Sequence, residues 1–167
     1  MKAEKHTFLV KMLCLFLLAS SSSGAQAANH SPFVAHYTTA SLSAQEQTAG
    51  NLLNSDRAAY GLPALTLDPE LCRIARIKSE DMRDNQYFAH TSPTYGNVRD
   101  MLDHFSYRYS AAGENIAHHA TVAKSQAALL SSPGHRRNIL SSAYTKVGIG
   151  VALDRNGYVY LTQIFCR

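Results

Sequence analysis

The pattern of apolar and polar positions changes period along the chain and predicts helices first and strands last. Leu52, Leu53, Ala59 and Tyr60 are spaced as one face of a helix. The Gly-Leu-Pro triplet at 61–63 is typical of a helix end. A first helix is therefore predicted just before this triplet.

A second helix is predicted over residues 69–85, because Asp68 is a good N-cap and Pro69 suits the first helical position. Two shorter helices are predicted after it, over residues 98–105 and 121–130. The apolar face of the second helix combines aliphatic side chains with the stem of one lysine: Leu71, Ile74, Ala75, Lys78 and Met82.

The C-terminal region is rich in β-forming residues. Residues 147–153 and 158–165 form two such runs, and the Asn-Gly pair between them is a strong hairpin signal. We expect a third strand at 107–110. Helices followed by a closing hairpin predict an α+β domain, in which the helices pack on a small antiparallel sheet.

The first 27 residues have the pattern of a secretory signal peptide. Lysines in the first eleven positions precede an apolar run at 12–19, and Ala-Gln-Ala at 25–27 predicts cleavage after Ala27. A transmembrane anchor is the alternative, but the run is shorter than the roughly 20 residues that span a bilayer. A lipoprotein is the other alternative, although Lys11 falls inside any lipobox before Cys14. We expect a secreted or periplasmic protein without a transmembrane segment.

Composition and charge narrow the class of protein further. Hydrophobic residues make up 46% of the chain and charged residues 17%, which is typical of a globular protein. The net charge of +4 falls to +2 without the leader, too weak to indicate nucleic-acid binding. Polar, aperiodic residues at 28–43 predict a flexible N-terminal arm. We expect a monomer.

Two cysteines remain once Cys14 has left with the leader. In a secreted chain, Cys72 and Cys166 are expected to form one disulfide. The alternative is a pair of buried free thiols.

The familiar catalytic motifs His-Glu-x-x-His, Gly-x-Ser-x-Gly and Cys-x-x-Cys do not occur in the sequence. Gly148 and Gly150 lack the third glycine and the helix of a dinucleotide fingerprint, so we interpret them as strand glycines at close backbone packing. Three other stretches place a His or Glu beside Gly or Pro, as binding loops often do. They are 87–93 (Tyr-Phe-Ala-His-Thr-Ser-Pro), 113–117 (Gly-Glu-Asn-Ile-Ala) and 132–140 (Ser-Pro-Gly-His-Arg-Arg-Asn-Ile-Leu).

With these stretches, three further motifs stand in a characteristic order: Leu-Asn-x-x-Arg at 53–57, Gly-Leu-Pro-x-Leu at 61–65 and Val-Gly-Ile-Gly at 147–150. The sequence therefore resembles the bacterial branch of the CAP superfamily of cysteine-rich secretory, antigen 5 and pathogenesis-related 1 proteins. The resemblance covers residues 44–165. It implies a CAP domain over 44–167, with a three-layer α-β-α sandwich fold.

The resemblance also implies a cleft that centres on two histidines and acidic residues. The matching positions are His90, Glu114 and His135, and several members of the family hold a divalent metal there. A further family acid, which follows a Trp, has no match, because residues 129–132 read Leu-Leu-Ser-Ser. We expect this loss to weaken a metal site.

Two neutral imidazoles and one carboxylate suit zinc by their own chemistry. His90 and His135 would be the ligands, and Glu114 would orient a water molecule or an imidazole. A hydrogen-bonded polar cluster without metal is the alternative. By contrast, we expect the His118–His119 pair to be solvated in a loop, and His104 to lie on the surface.

Two classes of function follow from the resemblance and the residues. The first is a secreted binding or interaction module, whose cleft holds a lipid, a cell-wall fragment or a peptide. The second is a metal-assisted hydrolase, a peptidase or esterase in which Glu114 is the general base and Ser92 or Ser132 lies close to a site histidine.

Overall fold

The computed structural model describes residues 41–167. The expected signal peptide and most of the expected N-terminal arm lie outside the described residues. Within them, the helices and strands follow one another in the order α1 (Ala44–Ala59), β1 (Thr66–Leu67), α2 (Pro69–Asp84), α3 (Val98–His104), β2 (Ala112–His119), α4 (Val122–Ser131), α5 (Pro133–Ile139), β3 (Lys146–Leu153) and β4 (Val159–Cys166). No helix in this part of the chain is both long and apolar enough to cross a membrane.

Local capping explains where the helices begin. The Ser43 hydroxyl accepts a hydrogen bond from Glu46 N, and the Glu46 carboxylate accepts one from Ser43 N, so α1 starts with a capping box. Asp68 caps α2 through Leu71 N. The start and end predicted for α2 are therefore confirmed, with Asn85 as its C-cap.

The sheet is mixed rather than purely antiparallel. Its strand order is β1-β3-β4-β2, in which β3–β4 and β4–β2 are antiparallel. The three long strands form the expected small antiparallel sheet, and the two-residue strand β1 adds one parallel pair with β3. The strand expected at 107–110 is wrong, because the third long strand is β2, at Ala112–His119.

Helix α2 packs directly on β3 because two glycines allow its backbone to approach. A Cβ atom at Gly148 would collide with the backbone carbonyl of Leu71, and one at Gly150 would collide with the backbone of Ala75. The expected close backbone packing of these two strand glycines is therefore confirmed.

Two hydrophobic clusters lie on opposite faces of the sheet. One packs α2 and α3 against Ile164. The other packs α1, α4 and α5 against Ile149 and Phe165. Helices therefore cover both faces of the sheet, and the α-β-α sandwich expected from the sequence is confirmed.

The two cysteines are buried and free, so the structure does not contain the expected disulfide. Cys72 belongs to the cluster with α1, where its sulfur accepts a hydrogen bond from Ile149 N at 3.3 Å. Cys166 belongs to the cluster with α3. Burial raises the pKa of Cys72 to about 11 and that of Cys166 to about 12, so both remain thiols at neutral pH.

Candidate functional site at the β2 edge

Glu114 and His90 form the centre of the candidate site. Glu114 lies on β2, the last strand in the sheet order, opposite Ile164 and therefore on the α2 side. His90 follows α2 in a segment without helix or strand. The two meet at 2.7 Å between His90 Nδ1 and Glu114 Oε1. Since an ionised carboxylate can only accept, the imidazole donates from Nδ1.

His135 reaches the same place from the opposite layer. It lies in the first turn of α5, after Pro133 at the helix start. Its ring centroid is 6.2 Å from that of His90, and the two planes are tilted by 33°. Ser132 Oγ lies 2.9 Å from His135 Nδ1. The structure thus brings all three sequence-predicted residues together, and both histidines have Nδ1 engaged and Nε2 available.

The pKa values of the two histidines are shifted in opposite directions. The hydrogen bond to Glu114 raises the pKa of His90 above its ordinary value, although partial burial and Lys78 oppose this. Burial, with a contribution from the charge of His90, lowers the pKa of His135. At a pH between the two pKa values, one imidazole is therefore cationic and the other neutral.

The Glu114 side chain is nearly inaccessible, at 3%, whereas that of His90 is 56% exposed. The second carboxylate oxygen, Oε2, is buried and has no hydrogen-bond partner among the described residues. An unpaired carboxylate oxygen that has lost its water is costly. Glu114 therefore carries one buried oxygen without a donor among the described residues, next to the exposed imidazole of His90.

Two asparagines link the strand that carries Glu114 to the helix that carries His135. The Asn115 amide donates to His135 O at 3.1 Å. The Asn138 amide donates to Glu114 O at 3.1 Å and to Asn115 Oδ1 at 2.9 Å. Apart from its place in the 132–140 stretch, nothing in the sequence indicated that Asn138 would bond to the strand that carries Glu114. These bonds fix the spacing between the two layers at the site.

The serines considered as nucleophiles differ in their surroundings. Ser92 is buried, donates to Asp81 and accepts from the backbone of Thr94 and Tyr95, so its hydroxyl is fully committed. Ser132, by contrast, is partly exposed and contacts His135.

Three histidines that the sequence placed outside the site lie on other elements. His118 and His119 end strand β2, which corrects the expected loop. His118 stacks on Tyr160 with ring centroids 4.0 Å apart. His104 is exposed, as expected, at the end of α3.

The structure adds no further ligand to the expected metal site among the described residues. Within residues 41–167, no three His, Cys, Asp or Glu side chains are arranged to hold a metal ion. The 129–132 segment ends α4, and its Leu129 packs in the core. The donors at hand for a metal are therefore the two imidazole Nε2 atoms.

Comparison with known proteins identifies the family. A model of the cysteine-rich secretory protein family, CAP, matches residues 51–165. The chain therefore belongs to the CAP family. YkwD, an uncharacterised protein of Bacillus subtilis (strain 168), is 44% identical over 111 residues, which are 66% of this chain and 43% of YkwD.

Solved structures agree with this fold. An extracellular SCP-domain protein from Bacillus anthracis has a TM-score of 0.67 at 35% identity, over 74% of this chain and 40% of that chain. An outer surface protein from Borrelia burgdorferi has a TM-score of 0.67 at 16% identity, over 72% and 90% of the two chains, and shows the fold alone. The match spans less than half the length of YkwD and of the Bacillus anthracis chain.

Proposed function

We propose that this CAP protein is an extracytoplasmic binding module whose ligand enters at the β2 edge and contacts His90, Glu114 and His135. The observation that carries the proposal is the buried Glu114 Oε2, which has no hydrogen-bond partner among residues 41–167 and lies beside an exposed imidazole. A polar group of a lipid, a cell-wall fragment or a peptide would donate to this oxygen, and the neutral His135 would add an acceptor or donor.

Export is part of this proposal. Its support is the leader-like pattern of residues 1–27 and the description of the Bacillus anthracis relative as an extracellular protein. A module that acts outside the cytoplasm would meet cell-surface lipids, wall fragments and peptides directly.

Zinc is a compatible but weakly held partner of the same cleft. Glu114 holds His90 through Nδ1, an arrangement that often orients a metal-binding imidazole through its other nitrogen. With His90 and His135 as ligands, water or a bound molecule would complete the coordination. A bound zinc ion would supply a Lewis acid for an oxygen ligand.

A hydrolase is the second candidate, and the contact between Ser132 and His135 favours it. The 2.9 Å separation of Ser132 Oγ and His135 Nδ1 is within reach of a nucleophile and its base. The lowered pKa of His135 keeps its imidazole neutral at pH 7, as a general base requires. Glu114 would be the alternative base if a metal-assisted water were the nucleophile. The substrate would be a peptide or an ester.

Native mass spectrometry of the exported protein tests the binding proposal. The protein would be purified from the medium or periplasm without organic solvent and examined for non-covalent adducts. We expect an adduct with the mass of a lipid, a wall fragment or a peptide. A homogeneous, adduct-free protein that also gains none on incubation with a lipid extract, a wall digest or a peptide mixture would contradict the proposal.

A further inference from the structure

Helix α2 buries two opposite charges one turn apart, and neither belongs to the site described above. Lys78 is 1% exposed and Asp81 is 8% exposed. Both side chains point to the segment 85–94, which connects α2 to the region of α3 and carries His90. Burying charges costs free energy unless they are paired and hydrogen-bonded, so the contacts of these two residues indicate what they do.

The Lys78 ammonium uses all three of its hydrogen bonds on this segment. It donates to Tyr87 Oη at 3.1 Å, to Ala89 O at 3.0 Å and to His90 O at 3.1 Å. Two of these acceptors are main-chain carbonyls, one of them that of the site histidine itself. Substitution of Lys78 would therefore release the backbone at Ala89 and His90, together with the Tyr87 hydroxyl.

The Asp81 carboxylate holds the same segment on both sides of His90. It accepts from Asn85 Nδ2 at 2.7 Å and from the Tyr87 hydroxyl before the histidine. After the histidine it accepts from Ser92 Oγ at 2.7 Å and from Thr94 Oγ1 at 2.9 Å. One carboxylate thus accepts four hydrogen bonds, which hold the segment against α2.

Tyr87 joins the two charges, because its hydroxyl donates to Asp81 and accepts from Lys78. We infer that Lys78 and Asp81 are positioning residues, which fix the main chain around His90 so that its imidazole donates from Nδ1 to the buried carboxylate of the site. The segment has no helix or strand of its own to set this geometry. A buried, hydrogen-bonded pair of charges is weak evidence for added stability, and in some proteins such groups specify a single conformation.

This inference concerns how the site is assembled and does not depend on which ligand the cleft binds. A purely structural role would predict only a loss of stability when either charge is removed. A positioning role predicts in addition that His90 loses its bond to Glu114 while the rest of the domain remains folded. The tautomer of the neutral imidazole separates the two roles, because a free histidine has no carboxylate to hold its proton on Nδ1.

The experiment is ring nitrogen NMR of the 15N-histidine-labelled protein at pH 8, with His90→Gln to assign the signals. In the wild type we expect the Nδ1–H form at His90. Lys78→Met and Asp81→Asn are expected to lose that form while far-ultraviolet circular dichroism remains that of the folded domain. Ser79→Ala is the matched control, because Ser79 is equally buried on α2 but bonds Gly150 O and Thr162 Oγ1 instead of the segment.

The control should lose stability and keep the Nδ1–H signal. The inference is overturned if the folded Lys78→Met protein keeps the wild-type tautomer at His90. It is also overturned if Ser79→Ala loses the tautomer as completely as Lys78→Met. Where Lys78→Met does not fold, Asp81→Asn, which preserves size, decides by the same two criteria.

Discussion

The Nδ1 atom of His90 lies 2.7 Å from Oε1 of Glu114, although the imidazole is mostly exposed and the carboxylate is almost completely buried. The pair therefore joins the surface of the domain to the buried edge of its sheet. Its charge state depends on pH, because a buried carboxylate stabilises the protonated imidazole.

The first prediction is that Glu114→Gln lowers the pKa of His90 and does not lower that of His135. The hydrogen bond to the carboxylate is the largest cause of the raised pKa of His90. The charge of His90 is one cause of the lowered pKa of His135, so that pKa should stay or rise. An NMR titration resolves both values in one sample. A fall in both pKa values would contradict the coupling.

These shifts also set how stability depends on pH. A histidine whose pKa is raised on folding stabilises the fold fully below its unfolded pKa of about 6.5, and this contribution is lost as pH rises through the folded value. The stability difference between wild type and Glu114→Gln should therefore shrink as pH rises through the folded pKa of His90. The effect of His135 on stability has the opposite sign, because its lowered pKa makes the fold less stable as pH falls below about 6.5.

The second prediction concerns the contact between α2 and β3. Gly150→Ala places a methyl group against the backbone of Ala75, which cannot move as a side chain could. We expect a loss of about 1–3 kcal/mol or more in the free energy of unfolding. Gly134→Ala is the control, because its nearest neighbour would be the flexible end of Arg137 at 3.9 Å. Equal effects of the two substitutions in urea unfolding would refute the close-packing argument.

The third prediction is that the domain does not depend on a disulfide. A bridge between Cys72 and Cys166 would add about 4–5 kcal/mol to the free energy of unfolding by closing a long loop in the unfolded chain. The two free thiols of the structure make no such contribution. The urea midpoint of the exported protein should be the same with and without reductant. Alkylation without reductant should label neither buried thiol quickly in the native protein and both after unfolding. If both cysteines stayed unlabelled after unfolding without reductant, the bridge would be shown to form.

The sequence was sufficient for the parts of the fold that depend on local signals. The cap and the periodicity of α2, the hairpin and the two strand glycines were all predicted correctly. Strand β2 was missed because its buried Glu114 and Asn115 interrupt the apolar pattern that marks a strand. The short parallel strand β1 is set by its partner β3 and has no signal of its own.

The site could be predicted only in part for a related physical reason. His90, Glu114 and His135 were chosen because their motifs resemble those of a family, and the structure brings them together. Lys78 was expected to bury its stem alone, since nothing local shows that carbonyls 11 and 12 residues later accept from its ammonium. Long-range hydrogen bonds of this kind depend on the tertiary fold.

The fourth prediction is weak, pH-dependent zinc binding. Two imidazole ligands without a further acid should give a dissociation constant in the micromolar range or poorer, about −8 kcal/mol or less favourable. Affinity should fall below about pH 6.5, because binding requires neutral imidazole. Isothermal titration at pH 7.5 and 5.5 measures this. Absence of binding at pH 7.5, or unchanged binding in a His90→Ala, His135→Ala double variant, would remove zinc from the proposal.

The central claim is that a ligand occupies the cleft through the buried carboxylate of Glu114. Native mass spectrometry of exported wild type, Glu114→Gln and Glu70→Gln tests it most directly. Glu70 is the control because it is a partly exposed glutamate in the first turn of α2 that pairs with Arg73. We predict that the ligand adduct is present in wild type and Glu70→Gln and is lost or strongly reduced in Glu114→Gln. An adduct of equal occupancy in all three proteins would contradict the account.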